Sequence, residues 1–313
     1  MENNIIFGPV ISRRFGVSLG IDLSPSLKQC NFDCLYCELA PSATVSSQTH
    51  IIEVPTIINE LKKHLNDKID VITITANGEP TLYPHLDNLV DAIKALHVRA
   101  ELLILTNSAT LNNPNTYQTL LKFDQVKLSL DAVSKDVFYK IDRPHKSINI
   151  EDIILHVKNF SNDFQGKLFI EILFVKALND TANEIAKLNE VLLHVKTERI
   201  DIGTIDRPPA YPVEALSFEE LMNIATKFDS VLPINIASRK KITTQPTSYS
   251  NEEILNTLDK RPLSEDDIDI LFDEATKQRL QALLNNKSVL TLDRSGVIFY
   301  LVASNLYRKR KKQ

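Results

Sequence analysis

Cys30-Asn31-Phe32-Asp33-Cys34-Leu35-Tyr36-Cys37 carries every cysteine of the 313-residue chain. It follows residues 17–23, a run with the apolar character of a buried strand, so three thiols are gathered on one short loop after a strand. An odd number of cysteines packed this tightly is no disulfide framework. Thiolates are the natural ligands of iron–sulfur clusters and of zinc. A structural zinc site wants four closed ligands; no second cysteine pair exists, and His50, the remaining candidate, is marked by no motif. A cube held by three thiolates keeps one iron open to a small chelating ligand. The bland alternative is three buried cysteines sharing a loop by accident.

Working outward from the loop, β-rich runs at 17–23, 71–76, 102–106, 126–130, 169–175 and 200–205 alternate with amphipathic stretches at 55–65, 86–96, 116–121, 150–160, 182–195 and 218–228. Several of the strand candidates are nearly continuous apolar runs, as strands covered on both faces should be. In the helical stretches apolar residues recur at three- and four-residue steps, for instance Ile57, Leu61 and Leu65. Six β-then-α units imply a parallel sheet, either an open barrel or a doubly wound sheet.

The composition is that of an ordinary soluble protein: 43% hydrophobic and 24% charged residues, with 7 glycines and 14 prolines, which excludes collagen-like and low-complexity classes. A net charge of -4 gives no global case for nucleic acid or an anionic membrane. No stretch approaches the roughly 18–20 apolar residues that span a bilayer, and the start Met1-Glu2-Asn3-Asn4 has no basic leader region. A cytoplasmic protein with reduced cysteines is expected.

The C-x3-C-x2-C spacing, with Tyr36 before the last cysteine, resembles the radical S-adenosylmethionine (radical SAM) superfamily. The resemblance implies one [4Fe–4S] cluster on Cys30, Cys34 and Cys37, with SAM chelating the open iron and cleaved reductively to a 5′-deoxyadenosyl radical. It also places Tyr36 among the cofactor contacts. Ala76-Asn77-Gly78-Glu79-Pro80-Thr81, after the second expected strand, resembles the family's Gly-Gly-Glu segment, with Asn77 in place of the first glycine. Gly78, Glu79 and Pro80 are accordingly expected at SAM. Leu105-Thr106-Asn107 is similar to the Thr-Asn that reaches the active-site floor in molybdopterin-precursor synthases, which makes Asn107 a cofactor contact and Thr106 a substrate candidate. Ser129 lies where the family's SAM-contacting serine lies, and Asp131 shares its face two residues on. Asp201-Ile202-Gly203-Thr204-Ile205 resembles the loosely defined adenine-contacting segment. The resemblance covers roughly residues 16–210, and its fold is an incomplete parallel (βα)6 barrel.

The N-terminal Phe7-Gly8-Pro9-Val10-Ile11-Ser12-Arg13-Arg14-Phe15-Gly16 narrows the likeness to bacterial and archaeal radical SAM proteins grouped with the wyosine-tRNA base synthases. A nucleobase in tRNA is therefore the expected substrate, with tRNA as partner; a small-molecule or cofactor precursor is the runner-up. Arg13 and Arg14 could clamp a carboxylate or phosphate, or simply pair with Glu38 or Asp22. Glu171, polar within an apolar run, and Asp131 are the catalytic candidates. With every cysteine on one loop, no auxiliary cluster and no methyl-carrying cysteine are expected. With no flavin motif, the electron is expected from outside, from flavodoxin or ferredoxin.

Residues 1–240 are read as the barrel and 241–250 as a polar linker. The order from 251 to 307, three helices and then two strands about Asp293-Arg294-Ser295-Gly296, is that of a winged helix. That segment holds ten acidic residues against six basic ones, a poor phosphate footprint, so a protein–protein or lid role is expected. Residues 308–313 form a basic tail, Arg308-Lys309-Arg310-Lys311-Lys312-Gln313. A reading from another class is an iron–sulfur redox sensor that binds DNA through the winged helix, in which Gly78, Glu79 and Ser129 would be idle.

Overall fold

The apolar runs become strands in the structure, a computed structural model that describes residues 5–12, 14–236, 246, 248–260, 262–294 and 297–303. In chain order it runs β1 (Ile6–Ser12), β2 (Gly16–Asp22), α1 (Val54–His64), β3 (Val71–Thr75), a 3-10 turn (Pro80–Leu82), α2 (Leu86–Lys94), β4 (Glu101–Thr106), α3 (Pro114–Leu120), β5 (Gln125–Ser129), α4 (Lys135–Ile141), α5 (Ile150–Asp163), β6 (Lys167–Phe174), α6 (Ala182–Leu192), β7 (Arg199–Thr204), α7 (Phe218–Ala225) and β8 (Ile234–Ile236). There follow α8 (Asn251–Lys260), β9 (Leu263–Ser264), α9 (Glu265–Leu271), α10 (Glu274–Asn285), β10 (Val289–Arg294) and β11 (Val297–Val302). Helix starts follow local chemistry. Asn149, Thr181 and Ser217 accept from first-turn amides of α5, α6 and α7, and Ser217 with Glu220 closes a capping box.

Strands β1 to β8 form one sheet in strictly sequential order, β1 antiparallel to β2 and the remainder parallel. Right-handed crossovers to the adjacent strand, repeated, put every helix on the same face. The register then sorts the side chains. Leu19, Ile72, Ile104, Leu128, Ile170 and Ile202 share the helix-covered face and are fully buried, each contributing about 1.5–3 kcal/mol by leaving water. Ser18, Thr73, Lys127, Ser129, Glu171 and Asp201 share the other face. The expected continuous apolar runs are therefore half right: one face is aliphatic, the other largely polar.

The sheet also exceeds the six strands expected. β1 adds at one edge through a register shift between Phe7 and Val10, and β8 adds three residues at the other. Among the described residues β8 has no pairing to β1, so the sheet is open. Beyond it, β10, β11 and β9 form a small antiparallel sheet, and with α8, α9 and α10 they enclose a second apolar cluster that includes Ile254, Leu258, Phe272 and Val289. Helix α8 packs on β1, and the Tyr249 hydroxyl donates to the Pro9 carbonyl at 2.6 Å.

Of the linker expected at 241–250, only Pro246, Ser248, Tyr249 and Ser250 are described; Arg13, the tip Ser295-Gly296 and the basic tail lie outside the described residues. Among the described residues no helix is long and apolar enough to cross a membrane.

Candidate active site

The cysteine loop sits at the C-terminal end of β2, where ligands of parallel βα sheets bind. Its backbone is tied on both sides. Gln29 N–H donates to the Asn77 carbonyl at 2.9 Å and Glu79 N–H to the Gln29 carbonyl at 3.0 Å, a short parallel bridge immediately before Cys30. On the other side Asp33 N–H donates to the Asp142 carbonyl (3.1 Å), Leu35 N–H to that of Ile141 (2.8 Å), and His145 N–H to that of Asn31 (2.7 Å). The buried Gln29 side chain fastens the far end of the loop: its Oε1 accepts from Thr49 and His50 N–H at 2.7 and 3.1 Å. Asp33 is gripped by Lys28 at 3.0 Å, by the Tyr211 hydroxyl and by Arg143 at 3.4 Å.

The bridge explains Gly78. Its φ is +138°, and a Cβ there would collide with the Gln29 carbonyl. Glu79, 2% exposed, spends its carboxylate inside the protein. Oε1 accepts from Thr81 N–H at 3.0 Å and from the Thr81 and Thr106 hydroxyls at 2.6 Å, and Oε2 accepts from Asn107 N–H at 2.8 Å. Burial pushes its pKa up despite these donors. Pro80 opens the 3-10 turn and is buried. Thr106, the substrate candidate, is corrected here: register puts it on the helix-covered face, 4% exposed, with its hydroxyl on Glu79. It positions the Asn-Gly-Glu segment instead of facing a substrate.

Beside the thiols lies a cleft of about 320 Å³, open solvent included, lined by Phe32, Tyr36, Asn107, Ser129, Asp131 and Asp142 among others. Sequence reasoning picks out Tyr36, Asn107, Ser129 and Asp131, and the fold brings these four together. The Asn107 amide donates to Asn31 Oδ1 at 2.6 Å and lies 3.9 Å from the Cys30 sulfur. The Tyr36 hydroxyl donates to Asp131, whose other oxygen accepts from Leu173 N–H at 2.7 Å. Burial raises the Asp131 pKa to about 6, and the neighbouring Asp142 is pushed up as well, by burial and by the Asp131 charge. Asn179, fully buried and unflagged by any motif, donates to the carbonyls of Asp131 and Leu173 at 2.8 and 2.9 Å and so fixes where β5 ends.

Deeper, on the polar face, Arg14 reaches Glu171 and Asp201, the latter at 3.6 Å. Lys127 meets Glu171 at 2.6 Å and Arg199 meets Asp201 at 2.8 Å. Glu38, one of the partners expected for the arginine pair, binds Arg207 instead, at 2.8 Å. Arg14 and Glu171 remain about a quarter exposed, whereas Lys127 and Asp201 are buried beneath them. Burial alone would raise the Glu171 pKa, but the Lys127 and Arg14 cations hold it at about 2. Register sets Ser129, Glu171 and Asp201 in one row, so this network floors the cleft.

The donor set fits an iron–sulfur cube. Burial raises the pKa of all three thiols, that of Cys30 to about 12, so a cationic group must displace their protons. Among the described residues no three His, Cys, Asp or Glu side chains converge on a single metal ion. A cube does not require that, since each thiolate takes a separate iron, whereas zinc does.

The family model described as the radical SAM superfamily matches residues 25–189. A UPF0026 protein of Helicobacter pylori is 39% identical over 302 residues, 95% of this chain and 97% of the relative. The dual-specificity RNA methyltransferase RlmN of Nitratiruptor is 26% identical over 178 residues, 54% of this chain and 49% of that protein. Among solved structures, Streptococcus suis SuiB bound to S-adenosylmethionine matches with a TM-score of 0.56 at 19% identity, over 72% of this chain and 51% of that one, a likeness of fold.

Proposed function

The chain belongs to the radical SAM superfamily, and on that premise we propose that it is an enzyme acting on a nucleobase in tRNA. Members bind a [4Fe–4S] cluster and SAM, which together supply reductive cleavage to a 5′-deoxyadenosyl radical. In this chain Cys30, Cys34 and Cys37 would hold the cluster. Gly78, Pro80 and the Glu79 backbone, with Tyr36, Asn107 and Ser129, would orient SAM. Glu79's carboxylate serves by holding Asn107 in place. Asp131, tethered by Tyr36, and Glu171 with Arg14 are the polar groups presented to substrate.

One observation carries the reading: the thiol loop is bridged to the Asn77–Glu79 segment, so the thiols and the cleft residues share one end of the sheet. The nucleobase substrate is supported by the N-terminal resemblance, by the similarity to an RNA methyltransferase, and by a polar floor suited to the hydrogen-bonding edge of a base. We assign residues 1–240 to the barrel and 251–307 to a winged-helix-like module, on the element order of the second cluster.

The test is anaerobic reconstitution with iron and sulfide, then dithionite and SAM, assaying 5′-deoxyadenosine and methionine with and without total tRNA. Both products, stimulated by tRNA, are expected, with deuterium from labelled tRNA recovered in 5′-deoxyadenosine. Stimulation by a metabolite pool but not by tRNA would overturn the substrate. A cluster with no cleavage under any condition, coupled to DNA binding, would favour the sensor.

A further inference from the structure

The proposed reading requires an external one-electron donor, and on that reading we propose where it lands: an acidic flavodoxin docks on the basic loop from Lys140 to Lys146, which covers the cysteine loop from outside. Three backbone hydrogen bonds join the two loops, Asp33 to Asp142, Leu35 to Ile141 and Asn31 to His145. The 140–146 segment is therefore the layer between the thiols and solvent on this side. Its sequence, Lys140-Ile141-Asp142-Arg143-Pro144-His145-Lys146, exposes Lys140, Arg143 and Lys146, while its one acid, Asp142, is buried.

The surroundings leave these charges unopposed. From 137 to 149 Asp142 is the sole acid, and from 39 to 52 the chain has no Asp, Glu, Lys or Arg at all. Asp33 is buried against Lys28, and Glu38 is paired with Arg207. Among the described residues neither Lys140 nor Lys146 forms an ion pair. A chain of net charge -4 thus turns a purely basic surface outward beside its thiols. That is the complement of an acidic carrier, and such charges act mainly on encounter rate. The choice of a flavin carrier rests on Leu27, 46% exposed and adjacent in the chain to Lys28, itself bound to the same Asp33 carboxylate as Arg143. An exposed aliphatic side chain bordering cations suits the apolar edge of an isoalloxazine ring framed by acids. The transfer balances as one electron: the flavin hydroquinone becomes the semiquinone, releasing a proton to solvent, and the oxidised cluster gains the electron.

The test uses the cluster-loaded full chain and the double variant Lys140→Glu/Lys146→Glu, both positions being exposed and on no hydrogen bond that holds the cysteine loop. Two readouts are taken. One is binding of oxidised flavodoxin, followed by flavin fluorescence across a salt series. The other is SAM cleavage driven by reduced flavodoxin or by dithionite. The variant should bind flavodoxin roughly tenfold more weakly at low salt, converge with wild type at high salt, and lose flavodoxin-driven cleavage in proportion while dithionite-driven cleavage stays unchanged. Unchanged binding and flavodoxin-driven rate would overturn the site. So would a variant that loses tRNA affinity but keeps flavodoxin binding, which would make the loop an RNA surface. Loss of the dithionite-driven rate as well would place the lysines in the chemistry and overturn a docking role. Failure of wild type to cleave SAM with dithionite under any condition would instead sink the reading beneath it.

Discussion

Gly78 is held by the Gln29 backbone, so its replacement has a consequence the motif alone does not convey. Gly78→Ala forces either the left-handed φ or the bridge to give way, and we expect a loss of about 2–4 kcal/mol of stability together with reduced iron content after reconstitution. Denaturant melts and iron analysis check this; full iron loading at unchanged stability would remove the bridge from its assigned role. At Glu171 the prediction concerns pH. Its carboxyl is held at about 2 by Lys127 and Arg14 against an ordinary value of 4.5. A depressed acid contributes stability that is present above pH 4.5 and lost as pH falls toward 2. Glu171→Gln should flatten the stability profile across that window, as read by urea melts between pH 2 and 6. The site was legible in the sequence where a residue type has few other uses, as with three cysteines on one loop. It was misread at Thr106, because a motif gives order along the chain but not which face of β4 a side chain takes.

At the scale of elements, the ends of β5 and β6 depend on Asn179, whose amide holds two carbonyls and whose Oδ1 accepts from Val175 N–H at 2.8 Å. Asn179→Ala leaves these groups unpaired inside the protein. It should cost about 2–4 kcal/mol and raise the KM for SAM through displaced Asp131 more than it alters cluster content. Thermal melts and SAM titrations separate the two effects. No sequence signal marks Asn179, since its partners are backbone groups 6 and 48 residues away. The six central strands were legible because their helix-covered face repeats aliphatic residues, whereas β1 was hidden by Gly8-Pro9, where its register shifts. β8, at three residues, and β9, at two, are too short to show any periodicity. Helix α4 was missed for a related reason: at seven residues it buries only Phe138 and Ile141.

For the whole molecule, the edge of the large sheet is β1, and it is covered by α8 and Tyr249. Removing residues 248–313 should expose a strand edge with unpaired backbone groups, so the shortened chain should self-associate. Tyr249→Phe, which deletes one hydrogen bond, should cost only about 1 kcal/mol and stay monodisperse relative to wild type. Sedimentation of the three proteins distinguishes edge protection from a simple tether. Equal behaviour of truncated and full chains would leave the second apolar cluster without a structural duty toward the sheet.

The backbone bonds of Gln29, Asp33 and Leu35 run to segments outside the cysteine loop, so the polypeptide lays down that loop by itself. This sets the chain apart from small zinc modules, whose fold appears only with the metal. Amide hydrogen exchange at Gln29, Asp33 and Leu35 should accordingly be slow in the iron-free protein and change little on loading. Maturation then becomes delivery of a preassembled inorganic core to a finished receptacle, and oxygen damage becomes a reversible loss of cargo in which the receptacle survives to be refilled.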